Sequence, residues 1–209
     1  MCVISLLIGY VFGMFLTAEI VARIYAGKSS SEIGTTGNPG MANIMANLGF
    51  KPGIIVLAGD LLKCAAACLA AHLIFHDAGR ADILFAGLGC TIGHDFPVWR
   101  RFRGGKGVAT SSLAIALYHF PIGLAANIAG MLVVFALQYL SLGGVVIPIV
   151  CTVIMAVRQD LTAAVVGCVY ILLALYCHRK TLAGIRDGST AKNDVLTAIR
   201  RKIRGGKRL

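Results

Sequence analysis

Long apolar runs separated by short polar segments extend along the chain from residue 3 to residue 177. About 20 apolar residues in a helix cross a bilayer, so these runs predict membrane-spanning helices. The predicted spans are residues 3–24, 53–75, 83–98, 107–120, 122–140, 144–157 and 161–177. The third, fourth and sixth are short, which is typical of partial, tilted or broken helices. The pattern predicts an all-α membrane protein with about seven transmembrane helices, although five spans with two re-entrant helices also fit.

The composition excludes an ordinary soluble domain. Hydrophobic residues make up 57% of the chain and charged residues only 14%, whereas soluble domains carry about 25% charged residues. The first apolar run ends in Arg23 and Lys28 instead of a small-residue cleavage site, so it is predicted to be a span and not a signal peptide. The seven cysteines lie in or beside apolar runs and indicate neither a disulfide framework nor a zinc site.

The distribution of cations predicts the orientation of the chain. With the N-terminus outside, sixteen Lys and Arg residues fall on the cytoplasmic side and only Arg80 and Arg158 on the other. Residues 1–209 are interpreted as one membrane domain with a basic cytoplasmic tail, residues 178–209. The net charge of +11 is concentrated in this tail. Because the tail follows a membrane span directly, phospholipid headgroups are its expected partner, and nucleic acid is not.

The polar segment 93–110 is the strongest indication of a binding site. Glycines 104, 105 and 107 flank Lys106, and residues 108–117 are predicted to be helical. Backbone N–H groups at a helix N-terminus bind phosphate, so this turn is a candidate phosphate cradle. The hydroxyls expected to contribute are those of Thr110, Ser111 and Ser112. A cytoplasmic loop that needs cations and turns only for topology is the alternative.

Two further features lie near the same side of the membrane. The segment 34–43 is rich in Gly, Asn and Thr, which favour tight turns and can also donate hydrogen bonds to phosphate. Within the spans, Glu19 and Arg23 are four residues apart, and Asp60 and Lys63 are three apart. Charges at such positions must pair or face a cavity, and structural ion pairs are the prediction for both.

Three polar segments thus lie on the predicted cytoplasmic side: 34–43, 93–110, and the segment that begins at Cys177. In length, span order and motif order the chain resembles the bacterial acyl-phosphate:glycerol-3-phosphate acyltransferase family. The resemblance implies an enzyme of phospholipid synthesis in the bacterial plasma membrane. It would transfer an acyl group from acyl phosphate to the 1-hydroxyl of glycerol-3-phosphate, giving lysophosphatidic acid and phosphate. No cofactor, metal ion or acyl-CoA is implied.

The three motifs match the family pattern to different extents. The second is nearly complete: Gly93-His94, Phe96-Pro97, the basic-aromatic stretch 99–103, and 104–110 all fit. The first and third depart from the pattern at several positions. The departures are Thr36 in place of Ser, Ala42 in place of Thr, Ala46 in place of Arg and Thr181 in place of Asn.

The resemblance assigns site residues by position. The expected catalytic residues are Lys106, His178 and His94. The expected substrate-binding residues are Thr36, Gly37, Asn38, Gly40, Asn43, Arg101, Arg103, Gly104, Gly105, Gly107, Thr110 and Thr181. Since acyl phosphate is already activated, no protein nucleophile is needed, and the base is His178, His94 or the donor's own phosphate. Three alternatives remain: an inactive member that binds lipid, an enzyme with another acceptor, and an anion transporter.

Overall fold

Every regular element in the described parts of the computed structural model, residues 1–75 and 79–192, is helical. Residues 193–209 of the predicted basic tail lie outside the described residues. The helices are α1 (Cys2–Gly13), α2 (Thr17–Ala26), α3 (Met41–Leu48), α4 (Phe50–Ile74), α5 (Ala81–Asp95), α6 (Val108–Tyr118), α7 (Phe120–Leu137), α8 (Leu140–Val157) and α9 (Leu161–Arg186). Short 3₁₀ turns cover Ser30–Glu32 and Val98–Arg100.

The predicted multi-pass architecture is confirmed. Five segments of the described chain are long and apolar enough to cross a membrane: the α1–α2 pair, α4, α7, α8 and α9. Helices α5 and α6 are shorter, at 15 and 11 residues, as expected for the third and fourth predicted spans. Helix α9 continues to Arg186, well past the predicted end at residue 177, so the third motif lies on a helix instead of a loop.

Helix α5 lies at the centre of the bundle and is buried along most of its surface. Twelve of its fifteen residues are buried, and it contacts α1, α4, α6 and α9. Against α1 the two backbones meet directly. A Cβ on Gly9 or Gly13 would clash with backbone of α5, and a Cβ on Gly89 or Gly93 would clash with backbone of α1. Small residues allow this close approach between membrane helices.

The first predicted span is interrupted between α1 and α2. Leu16 adopts an extended conformation at this break. Two carbonyls there accept hydrogen bonds from distant residues: the Trp99 indole N–H donates to Met14 O at 2.9 Å, and the Lys63 ammonium donates to Phe15 O at 2.7 Å. These donors replace lost helical hydrogen bonds, which a broken helix inside a membrane requires.

The bundle has two chemically different ends. At one end lie Arg80, His72–Asp82 (2.8 Å) and Tyr118–Asp160 (2.6 Å). At the other end, the segment between α2 and α3, the loop between α5 and α6 and the last turns of α9 come together. The second end contains all three predicted motifs.

Candidate active site

A cavity of about 950 Å³ opens where the three motif segments meet. It is lined from the first segment by residues 35–39, from the second by Trp99, Arg101 and Lys106 among others, and from α9 by Cys177 and Thr181. Seven Lys or Arg side chains line it. They are Arg23, Arg100, Arg101, Arg103, Lys106, Arg179 and Lys180. Glu19 is the one acidic residue of the described lining, so the cavity is suited to anionic ligands.

Lys106 joins the second motif to the third. Its ammonium donates a hydrogen bond to Thr181 Oγ1 at 3.0 Å. The side chain is half-buried, and burial lowers the pKa of this lysine below its usual value of 10.5. The ammonium is therefore only partly hydrated and lies at the cavity wall, where an anionic ligand can replace the missing solvation.

The predicted glycine cradle has a different use in the structure. The Gly104 N–H donates to Asp95 O and the Gly105 N–H donates to His94 O, both at 2.9 Å. A Cβ on Gly104 would clash with the carbonyl oxygen of His94, and one on Gly105 would clash with the His94 ring. These two amides are therefore not available to a phosphate. The glycines are needed because the loop folds back tightly onto the end of α5.

The N-terminus of α6, the second part of the predicted phosphate cradle, lies beside a protein carboxylate. Gly107, the N-cap, has φ +62°, and a methyl group on it would lie 2.8 Å and 3.0 Å from the two carboxylate oxygens of Asp95. The Asp95 carboxylate therefore lies close to the start of α6, although no side chain caps this helix through a hydrogen bond. Thr110 is fully buried and donates to Gly107 O at 3.0 Å, so Thr110 and Gly107 are structural.

The first motif divides into residues that face the cavity and residues that shape the loop. Thr36, Gly37 and Asn38 line the cavity. Asn43 is buried, donates to Ile33 O at 2.9 Å and accepts from Thr36 Oγ1 at 3.0 Å. Its amide therefore stabilises the loop and does not face a ligand. Gly40 precedes α3 as its N-cap and lies outside the lining.

The His94 side chain belongs to a buried cluster beneath the second motif. Its Nδ1 accepts from the Lys63 ammonium at 2.8 Å, and Lys63 forms an ion pair with Asp60 at 2.8 Å. The predicted Asp60–Lys63 pair is thereby confirmed. His94 is 4% exposed and does not line the cavity. The His94 ring packs against Gly105 and does not face the cavity.

His178 lies behind the cavity wall. Its Nδ1 donates to Ala174 O at 2.9 Å, so Nε2 is the basic nitrogen of the neutral ring. The side chain is 2% exposed and packs against Gly144 of α8. His178 lies outside the lining, whereas its neighbours Cys177 and Arg179 face the cavity.

Several lining residues were not among those expected from the sequence. Arg23 was used to predict an ion pair, and Arg100 was counted in the second motif without a role as a site residue, yet both face the cavity. Lys180 and Arg179 were counted as part of the basic tail. Their position on the same helical turn as Thr181 is the signal that could have assigned them to the site, once α9 is known to continue past Cys177.

Fold and site together define a class: a multi-pass helical membrane protein with a cation-lined cavity at one face, where the chemistry of an anionic, lipid-related substrate is expected. Comparison with known proteins narrows this class. The sequence profile of the family described as glycerol-3-phosphate acyltransferase matches residues 3–188. The chain belongs to this family, which confirms the resemblance found in the motifs.

Individual relatives agree over nearly the whole length. The glycerol-3-phosphate acyltransferase 1 of Lactobacillus johnsonii is 35% identical over 96% of each chain. The glycerol-3-phosphate acyltransferase of Thermus thermophilus is 32% identical over 88% of this chain and 92% of its own. The crystal structure of PlsY (YgiH), an integral membrane glycerol 3-phosphate acyltransferase in its glycerol 3-phosphate form, superposes with a TM-score of 0.82. It is 25% identical and covers 95% of this chain and 98% of its own.

Proposed function

We propose that this protein transfers an acyl group from an acyl phosphate to the 1-hydroxyl of glycerol-3-phosphate, giving lysophosphatidic acid and inorganic phosphate. The observation that carries the proposal is the cation-lined cavity in which Lys106 of the second motif meets Thr181 of the third. Both proposed substrates are phosphates, and an acyl chain enters most readily from a membrane. Names of relatives and the ligand form of PlsY support glycerol-3-phosphate as the acceptor.

The reaction needs no covalent enzyme intermediate. The acceptor hydroxyl oxygen attacks the acyl carbonyl carbon, an ester C–O bond forms, and the C–O bond to phosphate breaks. The phosphate leaves with the electron pair, and the hydroxyl proton passes to it. In the proposal the leaving phosphate is the base, because the rings of His178 and His94 are both buried outside the cavity lining.

The protein's contribution is electrostatic and geometric. Two phosphates repel at close range, and Lys106, Arg101 and Arg103 are positioned to offset that repulsion. Holding two reactants in a productive orientation accounts for about 7–11 kcal/mol of barrier reduction in favourable cases. We assign the donor phosphate to these cations and the acceptor to Thr36, Gly37, Asn38 and Thr181.

The proposed setting is the bacterial plasma membrane, with the N-terminus outside and the C-terminus cytoplasmic. In this orientation the cavity faces the side where glycerol-3-phosphate is dissolved. Phospholipids of the cytoplasmic leaflet would contact the basic residues that follow Cys177, because clustered cations attract anionic headgroups. A channel or carrier is less well supported, since the cations line one membrane face instead of the midplane.

Purified protein in detergent, supplied with acyl phosphate and glycerol-3-phosphate, tests the proposal. Mass spectrometry is expected to show lysophosphatidic acid, and Lys106→Ala is expected to lower turnover by at least about 100-fold. Lys51→Ala, which removes an exposed lysine outside the cavity, is the matched control and should retain wild-type turnover. Product formed only from acyl-CoA would contradict the proposed donor. Acylation of a different acceptor would favour the alternative raised by Ala46 and Thr181.

A further inference from the structure

Glu19 is the acidic exception in a cavity otherwise lined by cations. It lies on α2, and its side chain is only 8% exposed. The i,i+4 pair with Arg23, predicted from the sequence, is present at 3.0 Å between Nε and Oε1. That pair uses only one carboxylate oxygen of Glu19. Because the Arg23 side chain is mostly exposed, the pair does not by itself explain why Glu19 is buried.

The second oxygen of Glu19 holds the start of the first cytoplasmic segment. Oε2 accepts from Ser30 N at 3.0 Å, from Ser30 Oγ at 2.7 Å and from Ser29 Oγ at 3.2 Å. Hydrogen bonds to an ionised acceptor are stronger than those between neutral groups. Ser30 begins the turn that leads within five residues to the cavity-lining stretch 35–39.

The same oxygen also faces the second motif. Arg100 NH1 lies 3.6 Å from Glu19 Oε2 and donates to Ser30 Oγ at 3.0 Å. The Arg100 side chain is 12% exposed, and its guanidinium lies 5.9 Å from the centre of the Trp99 ring. Glu19, Ser30 and Arg100 therefore contact one another and connect α2 to two walls of the cavity: the segment that begins at Ser30 and the second motif.

We propose that Glu19 is a positioning residue of the transfer site: its carboxylate binds Ser30 and Arg100 together and fixes the separation of the acceptor-side and donor-side walls. The inference rests on the proposed function for the identity of the substrate, but the contact between Glu19, Ser30 and Arg100 does not depend on that function. The charge of Arg100 is offset by Glu19, so Arg100 is assigned to holding the two cavity walls together and not to binding substrate. Arg101 and Arg103 have no carboxylate partner among the described residues and remain for substrate phosphate.

Kinetics of Glu19→Gln test the proposal, with Glu32→Gln as the matched control. Glu32 is an exposed acid of the same segment that caps the same turn through the Ser29 N–H, a bond that glutamine retains. Glu19→Gln is expected to raise the KM for glycerol-3-phosphate by at least about tenfold and to change kcat much less. The control should leave both constants within about twofold of the wild type.

A double-mutant cycle separates positioning from a general loss of stability. If Glu19 and Arg100 act as one contact, Glu19→Gln with Arg100→Gln should be no worse than the more severe single variant. The double variant Glu19→Gln with Ser30→Asp places a carboxylate at residue 30, whose side chain already accepts a hydrogen bond from Arg100. This variant should therefore regain most of the affinity for glycerol-3-phosphate. Additive effects, an unchanged KM, or a fall in thermal stability without any change in KM would overturn the proposal.

A binding measurement distinguishes failure of this inference from failure of the proposed function. Calorimetric titration with inorganic phosphate measures the affinity of the cavity for phosphate in the absence of turnover. Weaker phosphate binding in Glu19→Gln than in Glu32→Gln supports the positioning role even if no lysophosphatidic acid is formed. Equal phosphate affinity in the wild type and Glu19→Gln, together with an unchanged KM, contradicts it.

Discussion

At the scale of single residues, Lys106 contributes most directly to the proposed chemistry. It is the one motif-two lysine in the cavity, it contacts Thr181, and its partial burial leaves its charge sensitive to the environment. A buried ammonium loses its proton at a lower pH than a hydrated one, because desolvation disfavours the charged form. The charge proposed to bind phosphate is therefore lost at a lower pH than the charge of a hydrated lysine as the pH rises.

This argument predicts an alkaline limit on activity. The kcat/KM of the wild type should fall at a pH below the usual lysine value of 10.5. Lys106→Arg should be slower at neutral pH, because a planar guanidinium and a compact ammonium do not fit one site alike, but its alkaline decline should disappear. The measurement is a pH–rate profile corrected for spontaneous hydrolysis of the donor. The same alkaline decline in Lys106→Arg would assign it to another group.

At the scale of elements, the close pair of α1 and α5 supports the second motif. Tyr10 of α1 donates to Phe96 O at 2.9 Å, directly after α5 ends. Trp99 and Lys63 donate to the carbonyls at the α1–α2 break. The motif-two loop is therefore bound to the N-terminal segment through Phe96 and Trp99, and its position depends on how closely α1 and α5 pack.

The glycines of this interface give a prediction. Gly89→Ala should destabilise the protein by about 1–3 kcal/mol, because a Cβ there meets the Leu6 carbonyl oxygen and the helices must separate. Helix propensity alone predicts the opposite sign, since Ala is favoured over Gly in helices by about 1 kcal/mol. Thermal unfolding in detergent measures the difference. An unchanged or raised Tm would show that the two backbones can separate without loss.

At the scale of the whole molecule, all three motif segments share one end of the bundle. The opposite end carries Arg80, Asp160 and Tyr118. The proposed orientation makes that opposite end extracellular, in line with the sixteen-to-two distribution of cations in the sequence.

Cysteine labelling of intact cells tests this orientation. In a background that carries Cys2→Ser and Cys177→Ser, Arg158→Cys should react with a membrane-impermeant maleimide added outside, because residue 158 lies exposed in the short α8–α9 connection. Lys192→Cys should react only after the cells are opened. Labelling of residue 192 from outside would contradict the orientation and, with it, the cytoplasmic position of the cavity.

Much of the architecture follows from local pattern. Apolar runs long enough to cross a bilayer determine α4, α7 and α8, since each must bury its backbone polar groups in its own helical hydrogen bonds wherever lipid surrounds it. The glycine and lysine spacing of residues 104–107 also pointed to a loop that lines the cavity, although residues 204–208 carry a similar Gly-Gly-Lys pattern.

Only the tertiary structure decided how those residues are used. The amides of Gly104 and Gly105 donate to carbonyls of α5, and the Asp95 carboxylate lies close to the start of α6, which is why the proposal assigns phosphate to side-chain cations. The α1–α2 break depends on donors 48 and 85 residues away. The pattern of apolar residues predicts which segments are buried, because each segment carries its own hydrophobicity. The same pattern does not predict which polar groups form hydrogen bonds with each other, because donors and acceptors far apart in the sequence come together only on folding.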